Sequence, residues 1–248
     1  MQIAQLKTAD IAYHEEGEGS PILLIHGFAS RASINWMGVN WVTTLVEAGF
    51  RVVAMDNRGH GESQKFYEQD DYTLVKMADD ASELLSYLNI EQADIMGYSL
   101  GARISATMAH NHPGQVKRLI LAGNGYNMIE GGFDTSEIYD GLMAETIDDV
   151  KTKIGIEFRA FAQQTKSDLR ALAACIRGGR NHIAKSVFET LTQETLVTVG
   201  TKDTVAIDGE KLANIIPNGK FMAIPERNHM NAVGDKAYKQ NVLEFLSS

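Results

Sequence analysis

The chain has 248 residues, of which 44% are hydrophobic and 22% are charged, and its formal net charge at pH 7 is −9. This is the composition of a globular protein with a sizeable core, since disordered chains contain fewer apolar residues and membrane channels contain more. The excess of acidic residues argues against nucleic acid or an anionic membrane surface as the main partner. Cys175 is the only cysteine, so the chain can form neither an internal disulfide nor a cysteine-based zinc site.

The first residues contain no apolar segment of the kind that signal peptides carry. No run elsewhere approaches the roughly 20 apolar residues that a membrane-spanning helix needs. The sequence therefore predicts a protein that is soluble and cytoplasmic.

Eight segments have the length and composition of β-strands. The first two, at about 3–7 and 10–16, are joined by a tight turn. The other six are short apolar runs, as expected for strands that helices cover on both faces, and they lie at 22–25, 52–55, 93–96, 119–122, 195–199 and 221–224. Segments with helical spacing alternate with these runs, at about 41–49, 75–89, 212–216 and 242–246. The alternation predicts an α/β fold with a mostly parallel, eight-stranded sheet and helices on both faces.

The alternation stops between about residues 125 and 191, where no convincing strand occurs. This stretch contains helical patterns at about 138–150 and 156–176 instead. We expect residues 1–124 and 192–248 to form the core of a single domain. The stretch between them is expected to be a small helical cap over the carboxyl edge of the sheet.

The strongest local pattern is Gly97-Tyr98-Ser99-Leu100-Gly101, which lies between a predicted strand and a predicted helix. In such a sharp turn a serine side chain projects at the edge of the sheet, and its neighbours must be small. The N-terminus of the following helix favours negative charge that develops beside the serine. The pattern predicts a nucleophilic serine, although an ordinary turn with two glycines could have the same sequence.

A nucleophilic serine needs a base to remove its proton and a carboxylate to orient that base. The candidate bases are His14, His26, His60, His110, His112, His182 and His229. We favour the last of these, because it follows the last predicted strand and therefore lies at the carboxyl edge. Asp203 follows the preceding strand at the same edge, whereas Asp208, the alternative acid, is better explained as a helix cap. The predicted catalytic residues are thus Ser99, Asp203 and His229.

Together these features make the sequence resemble the α/β-hydrolase superfamily over nearly its whole length. His26-Gly27-Phe28 is similar to the HG motif of that family, and residues 56–63 are similar to its D-x-R-G-x-G-x-S loop. The resemblance implies that the backbone N–H groups of Phe28 and Leu100 form the oxyanion hole. It also implies structural roles for Asp56 and His60, and a reaction that needs no metal or other cofactor.

The substrate pocket is less clearly marked. Trp36, Met128, Met143 and Met230 are candidate pocket residues, and so are Phe133 and Leu142 of the expected cap. The alternative is that these side chains pack inside the core or within the cap.

The reaction predicted from these residues is the hydrolysis of a small to medium carboxylic ester through an acyl-enzyme on Ser99. The resemblance also leaves room for a thioesterase, a lactonase, a carbon–carbon bond hydrolase, a perhydrolase or a synthase like those of the menaquinone pathway. A ligand receptor with little or no catalytic activity is the alternative from another class. The expected partner is a small ester-like molecule, and the oligomeric state stays open.

Overall fold

A computed structural model describes residues 1–131, 134–179 and 182–247, so that Phe133 lies outside the described residues. Eight strands form one sheet in the order β1-β2-β4-β3-β5-β6-β7-β8. They are β1 (Gln2–Gln5), β2 (Asp10–Glu16), β3 (Ser20–Ile25), β4 (Phe50–Met55), β5 (Ala93–Tyr98), β6 (Val116–Ala122), β7 (Glu194–Gly200) and β8 (Gly219–Ile224).

The sheet is mostly parallel. Strand β2 pairs antiparallel with both β1 and β4, and every other pairing is parallel. The predicted mostly parallel sheet of eight strands is therefore confirmed. Parallel pairing from β4 to β8 brings the carboxyl ends of these strands to one edge, which is where binding sites form in such sheets.

Helices pack on both faces of the sheet, as predicted. Helices α1 (Trp41–Glu47) and α10 (Lys236–Ser247) contribute to the hydrophobic core on one face. Helices α2 (Leu74–Tyr87), α3 (Leu100–Asn111) and α9 (Gly209–Ile215) contribute to the core on the other. No helix within the described residues is long and apolar enough to cross a membrane.

The segment between β6 and β7, residues 123–193, contains further helices and no strand among its described residues. We call it the insertion; its helices are α4 (Asn127–Glu130), α5 (Ser136–Met143), α6 (Lys153–Gln164), α7 (Leu169–Gly178) and α8 (Lys185–Glu189).

The predicted helix boundaries in the insertion were wrong at two places. The helical pattern at 138–150 ends at Met143, and only a short 3₁₀ turn follows at Ile147–Asp149. The pattern at 156–176 is two helices, because Lys166 adopts a positive φ of 55° that ends α6. Asp168 then begins α7 by accepting hydrogen bonds from two backbone N–H groups of its first turn. Apolar periodicity continued across both breaks, so the pattern did not reveal them.

Candidate active site

Ser99 lies in the sharp turn that joins β5 to α3. Its backbone angles, φ 54° and ψ −112°, are outside the regions that residues with a side chain normally adopt. The two flanking glycines make the turn possible. A Cβ atom on Gly97 would lie 2.2 Å from the carbonyl oxygen of Gly101, and a Cβ atom on Gly101 would lie 1.9 Å from that of Ile25. The strained serine is therefore held by close backbone packing on both sides.

Loops from two other strands bring His229 and Asp203 to this turn. The imidazole Nε2 of His229 is 3.0 Å from the Ser99 hydroxyl oxygen. Its Nδ1 is 2.8 Å from one carboxylate oxygen of Asp203. The side chain of Asp203 is completely buried. A proton on Nδ1 that is donated to Asp203 leaves Nε2 free to accept the proton of Ser99, which is the arrangement of a general base.

The second carboxylate oxygen of Asp203 accepts hydrogen bonds from the backbone N–H groups of Val205 and Ala206, at 2.8 and 2.9 Å. These bonds hold the carboxylate in one orientation and keep its other oxygen directed at His229. The alternative acid, Asp208, has left-handed backbone angles at the start of α9. Its carboxylate accepts no hydrogen bond from the first turn of this helix, so the N-cap expected there is absent.

The HG segment forms a tight turn beside the serine. The N–H of Ser30 donates to the carbonyl oxygen of Gly27 at 3.3 Å, and Ala29 adopts a positive φ of 58°. Gly27 packs closely here, because a Cβ atom on it would lie 3.3 Å from Cβ of Ser99. Phe28 follows in this turn and lines the same cavity as Ser99.

Leu100, the other residue expected in the oxyanion hole, is the first residue of α3. The N–H of a first helical residue has no acceptor within its helix, and the helix dipole adds positive potential there. The turn therefore leaves a backbone donor beside the serine, as an oxyanion hole requires. The roles of Phe28 and Leu100 remain predictions.

A cavity of about 230 Å³ opens beside Ser99 and His229. Most of its wall is apolar, with Ile34, Val39, Val205 and Val233 from segments outside the insertion, Phe158 and Phe161 from α6, and Met230 from the loop that carries His229. Tyr98, Ser30 and Asn35 also line the cavity. Helix α6 of the insertion thus forms part of the wall, and an apolar ligand group fits the space better than a charged one.

Four of the predicted pocket residues lie elsewhere. Trp36 is completely buried in the core and contacts Trp41 edge to face, because a π-helical turn over Ser33–Met37 points Ile34 and Asn35 toward the cavity instead. Met128 and Leu142 belong to the insertion itself and are buried in the hydrophobic core. Met143 is 46% exposed and borders a separate polar cleft. Of the candidates Trp36, Met128, Met143 and Met230, only Met230 lines the cavity that the described residues form.

Comparison with known proteins agrees with the observed fold. Residues 20–174, well over half of the chain, match the family model described as alpha/beta hydrolase fold. The chain belongs to this family. The matched range contains Ser99 and the HG turn, whereas Asp203 and His229 lie beyond it.

Individual relatives of this alpha/beta hydrolase have different names. It is 26% identical to the non-heme chloroperoxidase CPO-A1 of Kitasatospora aureofaciens, over 96% of both chains. It is 34% identical to the 2-hydroxymuconate semialdehyde hydrolase of Pseudomonas sp. (strain CF600), over 45% of this chain and 38% of the relative. Its fold also matches that of a bromoperoxidase from Bacillus anthracis, with a TM-score of 0.83 at 23% identity and complete coverage of both chains.

The hydrolase has one contact at its candidate site that the sequence did not predict. The hydroxyl of Tyr98 donates a 2.6 Å hydrogen bond to the backbone carbonyl oxygen of His229. Burial raises the pKa of Tyr98, so the phenol keeps the proton that it donates. Its ring packs against Gly123, where a Cβ atom would lie 2.8 Å from the ring. A hydroxyl-bearing residue directly before the serine was the only signal in the sequence.

Two further histidines of the hydrolase, His26 of the HG segment and His60, are buried and contact each other at 5.2 Å between ring centroids. Nδ1 of His26 is 2.7 Å from the carbonyl oxygen of Gly27, and its Nε2 accepts the N–H of Asn57 at 3.0 Å. Burial lowers the pKa of His26 to about 4, and burial together with the neighbouring His26 lowers that of His60 to about 3. Both imidazoles are therefore neutral near pH 7. Within the described residues, neither imidazole forms a hydrogen bond with Ser99.

Asp56, the first residue of the D-x-R-G-x-G-x-S loop, accepts hydrogen bonds from the N–H groups of Ala32 and Glu62 at 2.7 and 2.9 Å. Its carboxylate joins this loop to the segment that follows the HG turn. No group of three or more histidine, cysteine, aspartate or glutamate side chains in the described parts of the hydrolase is arranged to hold a metal ion.

We expect the buried histidines to make the hydrolase less stable in acid. Because their pKa values lie below the value of about 6.5 for an exposed histidine, the unfolded chain binds more protons than the folded protein between about pH 6.5 and 3. The free energy of unfolding should therefore fall as the pH is lowered from 6.5 to 4. Urea unfolding at several pH values measures this slope. His60→Gln should make the slope shallower, and an unchanged slope would contradict the lowered pKa of His60.

Proposed function

We propose that the protein is a serine hydrolase that cleaves small to medium carboxylic esters. The observation that carries the proposal is a chain of hydrogen bonds from Ser99 through His229 to Asp203. The Ser99 end of this chain lies at an apolar cavity. A serine with a base at 3.0 Å, and a base oriented by a buried carboxylate, is the arrangement that activates a hydroxyl as a nucleophile.

In the first half of the proposed reaction, the Ser99 oxygen attacks the ester carbonyl carbon while Nε2 of His229 takes the serine proton. The buried carboxylate of Asp203 stabilises the imidazolium that forms. The N–H groups of Phe28 and Leu100 donate to the oxyanion of the tetrahedral intermediate. The intermediate collapses as His229 returns the proton to the leaving alcohol oxygen, which leaves the acyl group on Ser99.

In the second half, His229 removes a proton from a water molecule that attacks the acyl carbon. The carboxylic acid leaves and the proton returns to Ser99. Of the residues used in these steps, Phe28, Ser99 and His229 line the cavity. Apolar walls, including Phe158 and Phe161, suit an aliphatic acyl or alcohol group.

The direct test is turnover together with labelling of the serine. The purified protein should hydrolyse p-nitrophenyl acetate and butanoate, and a fluorophosphonate should inactivate it by forming one adduct. Peptide mass spectrometry should locate that adduct at Ser99. A protein that hydrolyses no ester, thioester, lactone or vinylogous diketone, and takes up no label at Ser99, would contradict the proposal and favour a receptor function.

A second candidate reaction is favoured by the similarity to a non-heme chloroperoxidase over 96% of both chains. If hydrogen peroxide replaces water in the second half, the acyl-enzyme releases a peroxycarboxylic acid. That acid can oxidise a halide to hypohalous acid and so return to the carboxylic acid, without a haem. Bromide oxidation measured in acetate buffer with hydrogen peroxide distinguishes the two reactions. Activity there that exceeds ester hydrolysis would favour the perhydrolase.

A further inference from the structure

The hydroxyl of Ser30 is a polar group on the cavity wall that has no hydrogen-bond partner among the described residues. Ser30 is 5% exposed and lines the cavity together with Ser99. Its backbone N–H closes the HG turn, but its side chain forms no hydrogen bond with any residue in the described ranges. The hydroxyl oxygen thus has no partner among these residues, and the protein does not enclose it completely. The small exposed part of Ser30 therefore includes this oxygen.

The other polar side chains of the cavity are bonded within the protein or enclosed by it. The Tyr98 hydroxyl donates to the backbone carbonyl oxygen of His229, and the imidazole Nε2 of His229 contacts the Ser99 hydroxyl. The amide oxygen of Asn35 accepts the N–H of Gly27 at 3.3 Å, and its amide nitrogen, which has no hydrogen-bond partner in the described part of the chain, is enclosed by protein and does not reach the cavity. Ser30 therefore offers a hydroxyl to the contents of the cavity, beside walls that are mostly apolar. A hydroxyl without a hydrogen-bond partner in such surroundings is unfavourable, so a ligand oxygen placed there gains an interaction.

The position of Ser30 limits where that ligand oxygen lies. The turn that Ser30 closes with Gly27 keeps their Cα atoms within about 7 Å of each other. Gly27 in turn packs against Ser99, with only 3.3 Å between the position of a Cβ atom on the glycine and Cβ of the serine. Ser30 and Ser99 also line the same cavity of about 230 Å³, so an oxygen that contacts the Ser30 hydroxyl and a carbonyl carbon attacked by Ser99 can belong to one small ester.

We propose that Ser30 is a substrate-binding residue whose hydroxyl donates a hydrogen bond to a second oxygen of the substrate. The preferred substrates are then esters that carry an ether, hydroxyl or carbonyl oxygen a few bonds from the scissile carbonyl, rather than plain alkyl esters. This inference rests on the proposed ester hydrolysis, because it assigns the substrate class for the same serine.

Pairs of esters of equal shape test the inference. p-Nitrophenyl methoxyacetate differs from the butanoate, and the 3-methoxypropanoate from the pentanoate, only by an oxygen in place of a methylene. On the alcohol side, 2-methoxyethyl butanoate pairs with butyl butanoate. Within each pair the ratio of kcat/KM values is compared between wild type and Ser30→Ala, so that the different intrinsic reactivities of the two esters cancel.

In at least one pair, Ser30→Ala should lower the ratio of oxygenated to alkyl ester by about threefold to tenfold, the effect of one hydrogen bond between neutral groups. The pair that responds shows whether the oxygen belongs to the acyl or the alcohol part. Ser30→Cys, which keeps a similar size but is a weak donor, should lower the same ratio. Ser33→Ala, the same substitution at an exposed position outside the cavity, should leave every ratio unchanged.

Unchanged ratios in all three pairs, from a Ser30→Ala enzyme that still hydrolyses the alkyl esters, would overturn the role of Ser30 and leave the proposed function intact. A wild-type protein that hydrolyses none of the six esters would overturn the proposed function itself. The two failures are therefore distinguishable in one set of assays.

Discussion

Replacing Ser99 by alanine should lower kcat/KM for p-nitrophenyl butanoate by at least about 10⁴-fold, since removing a nucleophile of this kind removes most of the catalysis. The variant keeps the Cβ atom and the backbone contacts of the strained turn, so its thermal unfolding temperature should stay within a few degrees of the wild type. Initial rates at high enzyme concentration measure the residual activity, and thermal unfolding reports on the fold.

Ser33→Ala is the matched control, because Ser33 is exposed and lies outside the cavity. It should retain wild-type kcat/KM and full labelling by a fluorophosphonate, whereas Ser99→Ala should take up no label. Turnover within tenfold of wild type in Ser99→Ala would exclude an acyl-enzyme on this residue. A general-base reaction of His229 on water would then have to replace the proposed mechanism.

The second large effect is expected for Asp203→Asn, which should lower kcat by about 10³- to 10⁴-fold. Two backbone N–H groups, of Val205 and Ala206, donate to one oxygen of Asp203 and will keep an amide oxygen in that place. The new NH₂ group must then face Nδ1 of His229. An amide donor there forces the proton of the imidazole onto Nε2, which is the atom that has to accept the proton of Ser99.

Measurement of kcat against pH for Asp203→Asn tests this reasoning, because hydroxide can replace the missing base and the loss should shrink at high pH. Asp208→Asn is the control: this nearby aspartate is exposed, and the same substitution should leave kcat within twofold of wild type. A small effect of Asp203→Asn combined with a large effect of Asp208→Asn would reassign the orienting acid.

The three candidate catalytic residues could be selected without a structure because each one follows a predicted strand. In a parallel sheet the carboxyl ends of the strands share an edge, so residues that are 104 and 26 positions apart in the chain, Ser99 to Asp203 and Asp203 to His229, become neighbours. Glycines at 97 and 101 marked the turn in the same way, since close backbone contact leaves no room for a Cβ atom at either one.

The sequence by itself thus determined the α/β fold, the mostly parallel sheet and a short set of polar residues at one edge, because apolar runs and glycine positions are local features of the sequence. Only the tertiary structure decided which apolar residues form the pocket. One π-helical turn sends Trp36 into the core and Ile34 to the cavity, and α6 brings Phe158 there from the insertion. An apolar side chain has the same pattern whether it faces a core or a ligand, so packing between distant segments settles the difference.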